Sequence, residues 1–196
     1  TWQLNEADTA KWNTHPGFVK LEDVNGDNKL DANDLQIIGQ QDPKFLWGLT
    51  NSFSYKNFKL DIFIHGVHGV TAVNELMTDN VTAEIRENTM KKNWWTPDNP
   101  TNEWVKNHIN AEIMGGINTN NRYYQDASFV RVKDISFSYD LPTDLIYKIG
   151  LTKIRFYVTG RNLFTFTEWI GTDPELSDQT AAPLQREYVV GLNLSF

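Results

Sequence analysis

The chain has 196 residues, of which 40% are hydrophobic and 22% charged, so it is long and apolar enough to fold and is not a disordered polyelectrolyte. Its net charge of −7 argues against a nucleic-acid partner, and the absence of cysteine excludes thiolate zinc sites, thiol catalysis and disulfides. The sequence has no long uncharged apolar run of the kind that would predict a membrane-spanning helix. Membrane β-strands of about 9 to 11 residues, in which apolar and polar positions alternate, are not excluded.

Residues 1–44 are predicted to contain a short helix capped by Asn5 and, after it, a calcium-type loop. The loop has side-chain oxygens at positions 1, 3, 5, 9 and 12 and a backbone carbonyl at position 7, which is the spacing of an EF-hand. Asn28 replaces the usual glycine at position 6. The loop is predicted to bind Ca²⁺ or another hard cation, with a metal-free acidic turn as the alternative. The predicted ligands are Asp23, Asn25, Asp27, Lys29 through its carbonyl, Asp31 and Asp34.

Alternation of apolar and polar residues predicts five β-strands. The dipeptide Lys56-Asn57 separates the first two and predicts a two-residue hairpin, in which Asn57 tolerates the left-handed conformation that such turns need. In the third strand the apolar positions change parity, which predicts a β-bulge near Lys133-Asp134. The predicted strands are Phe45–Tyr55, Phe58–Val67, Phe129–Tyr139, a run around Ile154–Arg161, and Arg186–Phe196.

The connections between these strands alternate between short and long. The hairpin is followed by a segment of about sixty residues, then by the short link 140–152, and then by the longer segment 167–185. Outer-membrane barrels have short periplasmic turns and long extracellular loops, so the pattern predicts an antiparallel barrel wall. On this interpretation 1–44, 68–128 and 167–185 are extracellular loops, 45–67 is a strand hairpin, 129–166 is a strand pair, and 186–196 is the terminal strand.

The longest loop has two local features. A second short helix is predicted at Thr82–Lys92. Three tryptophans, Trp94, Trp95 and Trp104, bracket a turn-rich segment that contains two prolines. Exposed indole rings can stack on sugar faces, which makes these three residues ligand-contact candidates, but such rings more often pack a long loop against its neighbours.

No catalytic motif is present in the sequence. The four histidines lack metal-ligand spacing, and no Gly-rich phosphate loop, nucleophile elbow or His-Glu-x-x-His motif occurs. The chain is therefore not predicted to be an enzyme.

Several short motifs are distributed over nearly the whole chain. Each motif is weak alone, and together they are specific. They are Trp2-Gln3 with Asn5-Glu6-Ala7, Pro16-Gly17, the loop that starts at Asp23, Ile38-Gly39 with Pro43, Phe45 and Gly48, Tyr55-Lys56-Asn57-Phe58, Trp95-Thr96-Pro97-Asp98-Asn99-Pro100, Asp126–Lys133, Tyr139–Pro142, Gly160–Phe164 and Gly171–Glu175. Together these motifs resemble the C-terminal portion of the SusC/RagA family of TonB-dependent outer-membrane transporters. Arg161 stands where glutamine is common in that family.

The resemblance implies about five C-terminal strands of a plugged barrel of about 22 strands in the outer membrane of a Gram-negative bacterium. It implies import of glycan or peptide oligomers, energised by TonB and assisted by a SusD-like surface lipoprotein, often in a dimer of such pairs. The other barrel strands, the plug and the TonB-contacting segment are expected in polypeptide beyond this sequence. Phe196 resembles the signal for barrel assembly, and membrane lipid and lipopolysaccharide are the expected surroundings.

Two interpretations assign different environments to the same apolar residues. In the transporter they face lipid, while Asp61, Arg155 and Arg161 on the opposite face line a wet lumen or contact the plug. In the alternative, a soluble calcium-stiffened β-sandwich that binds carbohydrate, they form a dry core between two sheets. The predicted lipid-facing residues are Phe58, Leu60, Ile62, Ile64, Ile154, Phe156, Val158, Val190, Leu192 and Leu194.

Overall fold

The computed structural model describes residues 6–74, 77, 91–108, 113–114, 117–118, 124–147, 150–176 and 181–196. The chain divides into two compact units, one of Thr1–Ile38 with Val73–Tyr124 and the other of Gly39–Ala72 with Gln125–Phe196. The predicted Asn5 cap and most of the helix predicted at Thr82–Lys92 lie outside the described residues.

Nearly all regular structure in the described part of the chain is β-strand. The helices there are α1 (Glu6–Trp12), a 3₁₀ turn (Ala32–Asp34) and α2 (Thr143–Ile146), and none is long and apolar enough to cross a membrane. The strands are β1 (Phe45–Tyr55), β2 (Phe58–His68), β3 (Thr71–Val73), β4 (Ile113–Met114), β5 (Ile117–Asn118), β6 (Tyr124–Asp126), β7 (Phe129–Asp140), β8 (Lys153–Thr167) and β9 (Glu187–Ser195).

The five long strands form one antiparallel sheet in the order β1-β2-β7-β8-β9, and the short strands form two small ribbons, β3-β6 and β4-β5. Neighbours in the large sheet are therefore successive long strands, which is the up-and-down order of a barrel wall. The predicted all-β antiparallel fold is confirmed.

The hairpin between β1 and β2 pairs Tyr55 with Phe58 across the predicted two-residue turn. The residue in the left-handed region is Lys56, with φ of 52°, and not Asn57. The prediction chose the wrong residue of the pair because it relied on the tolerance of asparagine for positive φ, whereas a two-residue turn of the II′ kind needs positive φ at its first central residue.

The predicted bulge in β7 is confirmed. Asp134 pairs with Phe63 and Val132 with Ile64, so Lys133 is an extra residue in the ladder. The extra residue puts Val132 on the same face as Ile135 although their numbers differ in parity. A second irregularity lies in β8 at Asn162, with φ of 51°, and beyond it the strand continues to Thr167.

Two glycines in the sheet are covered by aromatic rings of the neighbouring strand. Gly66 pairs with Trp47 and Gly191 with Tyr157, and a Cβ at either glycine would overlap the ring. The missing side chain lets each ring lie flat across the ladder, which is a close approach that only glycine permits.

Candidate functional site

The large sheet has one face that is almost wholly apolar, here called the apolar face. Residues that pair directly across antiparallel strands point to the same side of a sheet. The ladder links Leu60 to Phe137, Phe137 to Val158 and Val158 to Val190, and it links Phe58, Tyr139, Phe156 and Leu192 in the same way. The register places all ten predicted lipid-facing residues on this face.

Most of the apolar face is open to its surroundings. Val190 is 78% exposed and Leu192 49%, and Phe58, Phe156, Val158 and Leu194 are exposed as well. Ile154 differs from its predicted role, because it is only 8% exposed, while α2 contacts β8 and carries the buried Ile146. Apolar exposure of this extent on one face marks a surface that meets lipid or another protein.

Aromatic residues concentrate at both ends of the apolar face. At the hairpin end the Phe58 ring lies 4.6 Å from that of Tyr139 and 5.7 Å from that of Phe137. At the other end of the strands lie Phe45, Trp47, Phe164 and Phe166, and Leu, Ile and Val residues occupy most of the space between. Two aromatic girdles around an aliphatic band are typical of the lipid-facing wall of an outer-membrane barrel.

The opposite face of the sheet, here called the polar face, carries charged residues in opposite-sign pairs across the strands. Arg161 lies 3.4 Å from Asp134 on β7 and 3.3 Å from Glu187 on β9. Arg155 donates to Asp140 at 2.5 Å and 2.8 Å. Such pairing stabilises the ladder and leaves little net charge along the strands.

The third predicted polar residue, Asp61, lies on the same face. Its carboxylate is 2.8 Å from the ammonium of Lys59 and accepts a hydrogen bond of 2.5 Å from Ser52. The structure therefore brings Asp61, Arg155 and Arg161 to one face, as the alternation predicted. Whether that face borders a lumen or a plug stays a prediction.

A buried arginine on the polar face was not singled out by the sequence analysis. Arg131 is 1% exposed; its guanidinium donates to Asp173 at 2.7 Å, to Thr165 at 2.9 Å and to Glu175. The same group lies over the Phe129 ring, 5.1 Å from its centroid. The available signal was the parity change in β7, which puts Arg131 opposite to Val130 and Val132.

The three candidate tryptophans pack within the compact unit formed by Thr1–Ile38 and Val73–Tyr124. The rings of Trp94 and Trp104 meet edge to face, with centroids 6.3 Å apart. The ammonium of the buried Lys92 lies 5.2 Å and 4.7 Å from these two centroids. The ring of Trp95 covers Gly17, where a Cβ would overlap it. All three rings are half-buried, so this geometry describes packing, and contact with a ligand stays a prediction.

The calcium-type loop is wound by hydrogen bonds from its own backbone. Asp23 accepts from the N–H groups of Gly26 and Asn28 at 2.7 Å and 2.8 Å, and Asn28 has the positive φ, 66°, that its position requires. Asp34 accepts from the N–H groups of Val24, Asn25 and Asp31. These bonds hold the pKa of Asp34 below its ordinary value, with the Asp31 amide as the largest cause.

Across the residues that the structure describes, no group of three His, Cys, Asp or Glu side chains could hold a metal ion. Calcium binding by Asp23, Asn25, Asp27, Lys29, Asp31 and Asp34 stays a prediction.

The last strand, β9, is at the edge of the large sheet and pairs with β8. Leu194 pairs with Ile154, and the Thr152 N–H donates to the Ser195 carbonyl at 2.8 Å. Phe196 follows β9 and is 90% exposed. Its predicted role in assembly stays a prediction.

Comparison with known proteins shows which proteins this chain is related to. No protein-family model matches the chain. It is 29% identical over 203 residues to TonB-dependent receptor P3 of Formosa agariphila, a match that covers 96% of this chain and 20% of that protein. It is 25% identical over 185 residues to TonB-dependent receptor SusC of Bacteroides thetaiotaomicron, which covers 89% of this chain and 17% of SusC. The chain is a homologue of TonB-dependent receptors.

A solved structure agrees with this relationship. The RagAB peptide transporter matches with a TM-score of 0.67 and 26% identity, over 86% of this chain and 19% of that chain. The predicted resemblance to the SusC/RagA type of TonB-dependent receptor is therefore confirmed. The chain spans about a fifth of the length of the curated relatives that it matches. The named relatives are receptors and transporters and not enzymes.

The alternative prediction of a β-sandwich is not supported. A sandwich would bury the apolar face between two sheets, whereas that face is largely exposed in the described residues and the other ribbons there have only two or three residues per strand. The sandwich prediction treated alternation as evidence for a core, but alternation reports only that one face is apolar.

Proposed function

We propose that this chain is part of the wall of an outer-membrane TonB-dependent transporter that imports glycan or peptide oligomers. The observation that carries the proposal is the exposed apolar face with aromatic residues at both ends, opposite a face of paired charges. The homology to TonB-dependent receptors supports it independently.

Strand length and solvent preference favour lipid as the medium that meets the apolar face. β1 and β2 each have 11 residues, which matches the roughly 9 to 11 residues of a tilted membrane strand. A Val, Leu, Ile or Phe side chain that is fully exposed to water is about 1.5–3 kcal/mol less stable than the same side chain fully buried. Hydrocarbon removes that penalty without a second sheet.

The polar face is proposed to border the lumen or the plug. Its charges are neutralised within the sheet, because Arg161 contacts Asp134 and Glu187 and Arg155 contacts Asp140. Serine and threonine hydroxyl groups fill positions between them, as in the 2.9 Å contact of Ser136 with Thr159. A wall that is hydroxylated and nearly neutral suits passage of oligomers that are hydrogen-bonded rather than strongly charged.

The partners are proposed from the relatives. The matched structure of a peptide transporter is described as RagAB, and SusC is a TonB-dependent receptor. By analogy we infer that this protein acts with a SusD-like surface lipoprotein, with TonB, and in a dimer of transporter–lipoprotein pairs. The other strands and the plug would come from polypeptide beyond the described wall.

The test uses the full protein that contains this chain, expressed with an affinity tag in its native host. We expect it in the outer-membrane fraction, soluble only with detergent, and co-purifying with a surface lipoprotein identified by mass spectrometry. Leu192→Arg places a charge on the apolar face and should lower the folded yield, because such a charge costs up to about 2–4 kcal/mol at the bilayer midplane and less toward the interfaces. The neighbouring Asn193→Arg on the polar face is the control and should assemble.

Recovery of a monomer that is folded in plain buffer would contradict the proposal. Equal assembly of the Leu192→Arg and Asn193→Arg variants would contradict the assignment of the two faces.

A further inference from the structure

A second feature of the polar face is the environment of Arg131. Its side chain is buried although it belongs to a sheet whose faces are mostly exposed. Three of its contacts come from outside β7: Thr165 on β8, and Asp173 and Glu175 on the segment that follows β8. Segment 168–176 is called the clasped loop below.

The bulge in β7 determines which side of the sheet Arg131 faces. The ladder pairs Arg131 with His65 on one side and with Thr165 on the other, so all three side chains share the polar face. In unbroken alternation Arg131 would have the parity of Ile135 and lie on the apolar face. Lys133, the bulge residue itself, approaches Glu175 at 4.0 Å.

The charges around Arg131 balance. Two cations, Arg131 and Lys133, face two carboxylates, Asp173 and Glu175. Asp173 is also buried and accepts from the Glu175 N–H at 3.0 Å, which holds both carboxylates in one turn. A buried ion pair of this kind adds little net stability compared with apolar packing, but it fixes geometry because a buried charge without its partner is costly.

The clasped loop is ordered by further contacts at its start. Trp169 is buried, and its backbone N–H donates to the Thr167 hydroxyl at 3.1 Å. The Ile170 N–H lies 3.5 Å from the side-chain carbonyl of Gln125. These contacts set where the loop leaves β8, whereas Arg131 sets where its far part lies.

We propose that Arg131 is a positioning residue that fixes the clasped loop on the polar face of the sheet. The loop is then a standing part of the transporter wall and not a segment that swings over the path of the oligomer. The relevance to import depends on the proposed function, but the order of the loop does not, and the test measures that order.

The test attaches a nitroxide to Thr172→Cys, an exposed position in the clasped loop, in the full protein purified in detergent. With Arg131 present we expect a broad, restricted spectrum. Arg131→Met, which keeps the length and apolar stem of the side chain, should shorten the rotational correlation time of the label by about twofold or more as the loop gains nanosecond motion. Arg131→Lys should restore part of the restriction, since it keeps the charge but lacks the fork that reaches three partners.

Arg161→Met is the matched control, because Arg161 pairs with strand residues and not with the loop. It should leave the label unchanged. If Arg131→Met does not fold, Glu175→Gln removes the charge of the more exposed carboxylate, which pairs with Arg131 and Lys133. It keeps the ion pair of Arg131 with Asp173 and should give a smaller loss of restriction. An unchanged spectrum in Arg131→Met, or in Glu175→Gln where only that variant folds, would overturn the proposal. If the protein does not reach the outer membrane but the label is restricted with Arg131 and mobile in Arg131→Met, the proposed function is refuted and the role of Arg131 in positioning the loop stands.

Discussion

Asp34 shows how a single carboxylate can organise a long loop. It closes the turn that begins at Asp23 by accepting three backbone hydrogen bonds, from Val24, Asn25 and Asp31. Because these bonds favour the ionised form, the pKa of Asp34 lies below its ordinary value of 3.8. Its contribution to stability is present above that ordinary value and is lost only as the pH falls through the lowered pKa.

The calcium prediction is tested at this residue. A cation would bind through the carboxylates of Asp23, Asp27 and Asp34, which also accept backbone hydrogen bonds within the loop. If it does, titration of the full protein with Ca²⁺ at neutral pH will release heat, and Asp34→Asn will weaken binding, because asparagine keeps an acceptor oxygen but lacks the charge. Asp42→Asn, outside the loop, is the control. The prediction fails if calorimetry shows no heat and a chelator has no effect on the protein.

The sequence predicted the structure at those residues whose conformation depends on their neighbours along the chain. The Asx-rich loop, with the positive φ at Asn28, follows from local chemistry. Arg131 was missed because its partners lie 42 and 44 residues away and no local pattern connects them. The packing of Trp95 on Gly17 was missed for the same reason.

At the scale of elements, the bulge in β7 keeps the two faces of the sheet distinct. It allows Val130 and Val132 to share the apolar face with Ile135 while Arg131 lies opposite. The change of parity was visible in the sequence, and so were the hairpin and the five strands. The break in alternation at the left-handed Asn162 was not, although the predicted strand pair 129–166 already reaches almost to the end of β8 at Thr167.

Deletion of single residues from β7 tests this role of the bulge. Removing Lys133 makes the ladder with β2 continuous, since Asp134 already pairs with Phe63 and Val132 with Ile64. Both faces keep their residues, and most of the folded yield should remain. Removing Ser136 instead carries Asp134 to the apolar face and takes a carboxylate away from Arg161.

The folded yield is measured by the heat-sensitive migration of the barrel in detergent gels. We expect the Ser136 deletion to assemble poorly and the Lys133 deletion to assemble well. Equal yields for the two deletions would show that the bulge does not maintain the faces.

At the scale of the whole molecule, the sheet is proposed to be a boundary between two media. One face offers aliphatic side chains with aromatic ends, and the other offers paired charges and hydroxyl groups. Alternation predicts such a boundary from sequence alone, but it does not say what lies on either side. The homology to TonB-dependent receptors is what favours lipid on one side and a transport path on the other.

The most direct test of this account compares two adjacent valines on β9. Val190 lies on the apolar face, and Val189 pairs with Thr159 on the polar face. Each is replaced by cysteine and labelled with a nitroxide in the full protein reconstituted into lipid bilayers. We predict that the label at position 190 collides mainly with dissolved oxygen, which concentrates in hydrocarbon, and that the label at position 189 lacks this excess. A label at position 190 that is shielded from oxygen, or that collides mainly with a water-soluble nickel complex, would contradict the claim that the apolar face meets lipid.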